Sequence, residues 1–174
     1  MKTTQTHVRW TLAIGVALLA TSVTADIPSA AGACKSDLVE TTPSADFTVL
    51  EGGAVVRHEP TGLEWRRCAE GMSWTGTGCT GSARSWATWQ DVLQHAHAVP
   101  GWRLPNVNEL LSIVERCKRG PAANEQVFPD TPAFPFVSAS PMRGWVWLVS
   151  FEVGNSFWTN RTEDSFVRLV RDGQ

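Results

Sequence analysis

The segment Gly101-Trp102-Arg103-Leu104-Pro105-Asn106-Val107-Asn108-Glu109-Leu110-Leu111 closes one structural unit and opens a helix, and the rest of the chain is arranged around it. Asn106 followed three residues later by Glu109 has the form of a capping box. The Asn side chain accepts from the backbone N–H of residue 109, and the Glu reaches back to that of residue 106. Pro105 lies just outside the cap, where its missing N–H costs nothing, and is placed to staple onto Leu110. Leu110, Ile113, Val114 and Cys117 recur at i, i+3, i+4 and i+7, which predicts a helix over 107–118 with that face buried. Glu115 and Arg119 pair four apart on a more polar face, and Gly120-Pro121 stops the helix. Trp102 and Leu104, two apart, predict a short buried extended piece leading into the cap.

Upstream, Thr88 and Asp91 make a second capping pattern, and Trp89, Val92, Leu93 and Ala96 form the apolar stripe of a helix ended by Pro100-Gly101. His95 and His97, two apart on that helix, cannot face one metal. Residues 54–58 and 63–67 predict a β-hairpin around Glu59-Pro60-Thr61-Gly62, Leu63 and Trp65 facing the core and Glu64 and Arg66 facing water. A short strand at 47–50 precedes it, after an irregular polar arm.

Downstream, residues 120–144 hold five prolines and no periodicity. They predict a long loop anchored by Phe128, Phe134 and Phe136, of the kind that often carries function. Residues 145–151 form an apolar strand, 153–156 a turn and 157–159 a partner strand. A last strand at 166–171, with Val167 and Leu169 on one face, pairs with the 54–67 hairpin.

Residues 1–25 carry the marks of an export signal: Lys2 and Arg9, then an apolar run too short to span a bilayer, then small residues at Val23-Thr24-Ala25. This divides the chain into a signal peptide at 1–25, an arm at 26–46 and a single domain at 47–174. A cut after Ala33 would instead expose Cys34 for lipidation, but Ala31-Gly32-Ala33-Cys34 lacks the usual Leu. Four cysteines in an exported chain imply two bridges, with three connectivities open. Cys68 and Cys79 enclose a Gly/Ser/Thr-rich loop with little else to hold it, and closing such a loop stabilises by about 3 kcal/mol. That leaves Cys34 with Cys117, tying the arm to the end of the central helix. The set lacks the Cys-x-x-Cys spacing of a metal or redox site.

Without Lys2 and Arg9 the chain has 13 basic and 17 acidic side chains, a net charge of −4, which disfavours nucleic acid as a partner. Eight of its nine tryptophans lie beyond residue 25, and there is no tyrosine. These indoles make a Trp-rich core or, alternatively, a stacking surface for sugars.

Taken together, Thr61-Gly62-Leu63-Glu64-Trp65, Cys68 to Cys79-Thr80-Gly81, Trp102-Arg103-Leu104-Pro105-Asn106 with Glu109-Leu110, Phe128-Pro129-Asp130-Thr131-Pro132 and Val167-Arg168-Leu169-Val170-Arg171 resemble the bacterial family named for the C-terminal domain of the Legionella collagen-like protein. The resemblance runs from about residue 50 onward. It implies a C-type-lectin-like α+β fold, two helices flanking antiparallel sheets, with the chain ends close together. The sequence departs from the family at Phe136-Val137-Ser138-Ala139-Ser140, where many members have a Trp in place of Val137, and it has no collagen-like Gly-X-Y region.

The expected function is a non-catalytic binding module, periplasmic or secreted, for a glycan or an envelope protein. Sulfated glycosaminoglycans are the ligand class associated with the family's namesake, and they demand basic side chains. Arg66, Arg67, Arg116, Lys118, Arg119, Arg143 and Arg161 are the candidates, because the planar guanidinium donates twice to a sulfate. Trp65, Trp89, Trp102, Leu104, Asn106 and Glu109 are the expected structural positions. A structural envelope component without a small ligand is the alternative. An enzyme like the formylglycine-generating enzymes would need reactive cysteines, and all four here serve better as staples. No triad ordering, phosphate loop or metal-spaced His/carboxylate cluster stands out, and no calcium-lectin tripeptide occurs, so neither cofactor nor metal is expected.

Overall fold

A computed structural model describes residues 34–173; the expected signal peptide and the first part of the arm lie outside them. Along the chain, β1 (Phe47–Leu50), β2 (Val55–His58), β3 (Leu63–Arg66), β4 (Ser73–Trp74) and β5 (Cys79–Thr80) precede α1 (Trp89–Ala98) and α2 (Val107–Leu111). Then come β6 (Pro135–Met142), β7 (Trp145–Ser150), β8 (Asn155–Asn160) and β9 (Val170–Asp172). The strands make a four-stranded antiparallel sheet in the order β1-β2-β3-β9, a three-stranded one in the order β6-β7-β8, and the small β4-β5 hairpin. Among the described residues no helix is long and apolar enough to cross a membrane.

In the first sheet the hairpin places Val56 opposite Trp65, and β9 joins β3 with Val170 opposite Trp65. On its other side Val170 exchanges backbone hydrogen bonds with Arg103 at 2.9 and 3.0 Å, so the Trp102–Leu104 segment extends this sheet by one residue. The expected last strand, 166–171, is regular only from Val170. Before that the chain crosses between the sheets, with Phe166 making a parallel bridge to Phe136 of β6. Both sheets are therefore stitched by one short C-terminal segment.

Two apolar clusters follow. Trp65, Val56, Leu110, Ile113, Val114, Phe128, Phe136 and Val149 pack beneath α2. Val92, Ala96, Leu104, Val137, Leu148, Val167 and Leu169 pack beneath α1. Val137 is 2% exposed, so the departure from the family falls in the core rather than on a loop surface.

Both caps form. Thr88 accepts from the N–H of Asp91, and Asn106 with Glu109 makes the complete reciprocal box. Helix α2, however, ends at Leu111 rather than near 118. The face expected to be buried is buried, but residues 112–118 follow in turns. The N–H of Glu115 donates to the carbonyl of Ala122 instead of one turn back, and its carboxylate points inward to Thr41 and Thr42 rather than pairing with Arg119. A helical Glu115 could not make these bonds. β-branched Ile113 and Val114 lower the helical preference of that stretch.

The expected loop 120–144 contains a strand, β6. Its prolines sit where a strand tolerates them, Pro135 as its first residue and Pro141 beside a register shift that follows Val137. Phe128 and Phe136 are buried anchors, whereas Phe134 is half-exposed and rests on Phe166. Glu64, expected to face water, is buried against Arg171. Disulfides join Cys34 to Cys117 and Cys68 to Cys79, and no described cysteine is free.

Candidate functional site

Beside the Cys68–Cys79 loop lies a cleft of about 230 Å3 floored by Ala54, Val55, Cys68 and Ala69 and walled by Met72, Trp74 and Trp102, with Glu51, Arg66 and Glu70 at its polar edge. Each wall is fixed by the local chain. The disulfide closes the loop that carries Trp74 on β4, and Asp130 accepts from the N–H of Cys79 at 2.9 Å to hold the loop's far side. The Trp74 indole N–H donates to the carbonyl of Gly52, and its ring lies so close to Gly53 that a Cβ there would fall 2.8 Å from it. Gly53 also has φ +91°, so only glycine suits that position. Arg67 stacks on Trp74 at 4.3 Å and donates to the carbonyls of Gly53, Gln126 and Val127. Its guanidinium thereby clamps the wall rather than facing a ligand.

Trp102, from the central segment, forms the opposing wall. The guanidinium groups of Arg66 and Arg171 lie 4.9 and 4.6 Å from its ring centre. Arg171 is itself held by Glu51 and Glu64, and these bonds, that to Glu51 foremost, raise it above its ordinary range. Arg66 pairs at 3.0 Å with Glu70, whose second oxygen meets His95 Nε2 at 2.7 Å. Glu70 is 7% exposed, and the neighbouring backbone locks it: its N–H donates to Val167 and its carbonyl accepts from Arg84. Gly71 (φ +94°) permits that approach, since a Cβ there would lie 2.6 Å from the Arg84 nitrogen. His95 continues to Trp86, its ring tilted by 40° with centroids 4.6 Å apart, and Arg84 lies over Trp86 at 3.8 Å.

The cleft thus offers two indole walls and a fixed set of donors and acceptors in which each guanidinium is already paired, Arg66 to Glu70 and, just outside the lining, Arg171 to Glu51 and Glu64. Guanidinium groups already lie over both indoles, Arg67 over Trp74 and Arg66 and Arg171 over Trp102. No surplus cation remains in it for a sulfate.

The seven basic candidates do not form one patch. Arg66 edges the cleft and Arg67 supports it. Arg116 and Arg119 are exposed and Lys118 half-buried next to Cys117, and the N–H of Gly120 bonds to Glu152 in the turn between β7 and β8. Arg143 sits at the other end of β7, in the turn from β6. Arg161 follows β8 and stacks on Trp89 of α1 at 4.5 Å. Of the structural positions, Trp65, Leu104 and Trp102 serve the core and the cleft wall. Trp89 donates to the carbonyl of Ser138, and Asn106 and Glu109 form the cap.

Sequence reasoning missed Trp74, Glu70 and Arg103. A lone Trp in a loop otherwise built of Gly, Ser and Thr and closed by a disulfide was the available signal for the first. The others depend on long-range partners. Among the described residues, three potential metal donors gather at Cys34, Glu115 and Cys117, where the two sulfurs are joined in the disulfide.

No curated protein and no solved structure matches the chain. The Lcl C-terminal domain family matches residues 54–171, which takes in the hairpin, both cleft walls, the two helices and the strands up to Arg171. This chain belongs to the Lcl C-terminal domain family.

Proposed function

We propose that the protein is an exported, non-catalytic binding module of C-type-lectin-like type, acting in the periplasm or outside the cell, and that the Trp74–Trp102 cleft takes a saccharide unit. One observation carries this reading: two indoles line a single cleft whose Arg66–Glu70 pair is fixed at 3.0 Å. The two helices with antiparallel sheets support the lectin-like reading, and two disulfides suit an oxidising compartment. Because the guanidinium groups at the cleft are already paired with carboxylates, the favoured ligand is a neutral sugar.

A second reading has its own observation. Arg116, Lys118 and Arg119 make no ion pair among the described residues, leaving three cations within four positions for a sulfated glycan. Titration calorimetry with neutral oligosaccharides and with a sulfated glycosaminoglycan, at low and physiological salt, separates the two. Salt-insensitive binding lost in Trp102→Ala supports the cleft. Salt-sensitive binding lost when Arg116, Lys118 and Arg119 are all changed to Glu supports the basic segment. Binding of neutral sugar that survives Trp102→Ala eliminates the cleft as its site.

A further inference from the structure

The Glu70–His95 pair leads from the cleft to a second concavity, of about 570 Å3, whose lining includes Arg84, Trp86, Asp91, Gln94 and His95. We propose that this concavity binds a free amino acid through both charged ends, the carboxylate on Arg84 and the ammonium on Asp91. The observation behind it is a pair of opposite charges that line one concavity without joining. Among the described residues Arg84 makes no ion pair and no side-chain hydrogen bond, and Asp91 meets no cation.

Each charge is held by its own support. The Arg84 guanidinium carbon lies 3.8 Å from the centre of the Trp86 ring, and the Arg84 backbone N–H donates to the carbonyl of Glu70 at 2.8 Å. Trp86 is 5% exposed and exchanges backbone hydrogen bonds with Ser165 at 3.0 and 3.3 Å, so the platform under the guanidinium is fixed. Asp91 lies in the first turn of α1, where one of its oxygens meets the Thr88 hydroxyl at 2.6 Å. Its second oxygen and the N–H edge of Arg84 are left for a ligand. His95, four residues on, does not neutralise Asp91, because its Nε2 is taken by Glu70 at 2.7 Å. Gln94, on the same face of α1, adds an amide that both donates and accepts.

The two charges select the ligand. A simple anion gains Arg84 but is repelled by Asp91, and a simple cation meets the reverse. A zwitterion gains both, and its carboxylate matches the two parallel donors of the planar guanidinium. The volume falls within the roughly 300–1,000 Å3 of small-molecule sites, and supports fixed beforehand lower the entropy cost of binding. Neighbouring concavities lack this character. Beside Arg171 every charge is joined, Glu51 and Glu64 to Arg171 and Asp172 to Arg103. Beside Asn106, Glu109 is held by Arg103. The inference does not rest on the saccharide reading, because neither Trp74 nor Trp102 lines this concavity.

Heteronuclear NMR of the disulfide-bonded protein tests it, with glycine and γ-aminobutyrate as zwitterions of two charge separations and acetate and methylammonium as single-charge probes. The expected result is saturable shifts of the Trp86 indole N–H and the Gln94 side-chain amide, while the indole signals of Trp74 and Trp102 stay in place. At least one zwitterion should bind about tenfold tighter than acetate or methylammonium. Arg84→Gln and Asp91→Asn, both at exposed positions, should each weaken that binding about tenfold in a protein whose spectrum remains folded. The Asn variant keeps an acceptor for the Thr88 hydroxyl, and the Gln variant keeps the backbone bond to Glu70. No shift with either zwitterion overturns the proposal, as do shifts confined to the Trp74 and Trp102 signals. Acetate that binds as tightly as the zwitterions overturns it too, because Arg84 would then be a plain anion contact. So does binding that persists unweakened in both variants.

Discussion

Arg103 and Glu109, six residues apart, face one another across the turn into α2, with guanidinium nitrogens 2.8 and 2.9 Å from the two carboxylate oxygens. The same carboxylate accepts from the N–H of Asn106, and Arg103 also reaches Asp172. One Glu therefore caps a helix and joins it to the sheet edge. The bond to Glu109 is the main cause that raises Arg103 above its ordinary range.

The cap contributes about 1 kcal/mol, and the partly exposed ion pair adds roughly 0.2–1 kcal/mol. Glu109→Ala is therefore expected to destabilise by about 1–2 kcal/mol in urea unfolding. A double-mutant cycle with Arg103→Ala should give a coupling of about 0.5 kcal/mol. Zero coupling would mean that the ion pair contributes nothing.

Glu115 is expected to contribute to the acid limb of stability. Burial on its own would push its carboxyl up, but hydrogen bonds from the backbone of Thr41, Cys117 and Thr42 and from the Thr42 hydroxyl outweigh burial and hold it below the usual carboxylate range. A folded value below the unfolded one gives stability that is complete above the ordinary Glu range and lost as pH falls through the folded value. Glu115→Gln is expected to cost roughly 2 kcal/mol at neutral pH and to flatten the fall in melting temperature below about pH 4. An acid limb equally steep in the variant would assign it to other carboxylates.

His58 acts over a higher window. Its ring is buried, stacks on Phe47 at 4.8 Å and meets the Thr61 hydroxyl at 2.9 Å. Burial lowers its pKa, against the opposing pull of Asp46 and Glu59. The unfolded chain then takes the proton first, so this contribution is present above about pH 6.5 and declines as pH falls below it. His58→Phe keeps the stack and removes the titration. Its melting temperature should decline less than that of the wild type between about pH 7.5 and pH 5.5. Parallel curves would refute the assignment.

Arg168 is a buried cation bonded to no carboxylate. It is 1% exposed, donates to the carbonyls of Arg66 and Arg67 and to the Thr131 hydroxyl, and lies over Phe128 at 4.8 Å. Burial first, with nearby Arg67 adding and Glu70 opposing, brings it down to about 9, so it remains charged at neutral pH. Arg168→Ala leaves those acceptors without a donor and opens a cavity, an expected loss of about 3–5 kcal/mol by thermal or urea unfolding. Arg168→Lys should recover only part, since an ammonium cannot reproduce the planar fork. A fully stable Lys variant would mean that the charge alone matters.

The sequence by itself determined the elements whose bonds are local. The two capped helix starts, the 54–67 hairpin and the small disulfide loop each follow from residues three to a dozen positions apart, and the apolar face 110–117 is buried as its spacing requires. Only the tertiary structure decided where α2 stops, because Thr41 and Thr42, more than seventy residues away, offer Glu115 better hydrogen bonds than a helix does. The same holds for β6, whose prolines conceal a strand until Phe166 and β7 supply its edges. It holds for the arginines too. Arg67 and Arg168 look like surface charge in the sequence, yet they are buried because backbone carbonyls converge on them. The cleft walls come from segments nearly thirty residues apart, and their distance is set by register and packing, which no local pattern encodes.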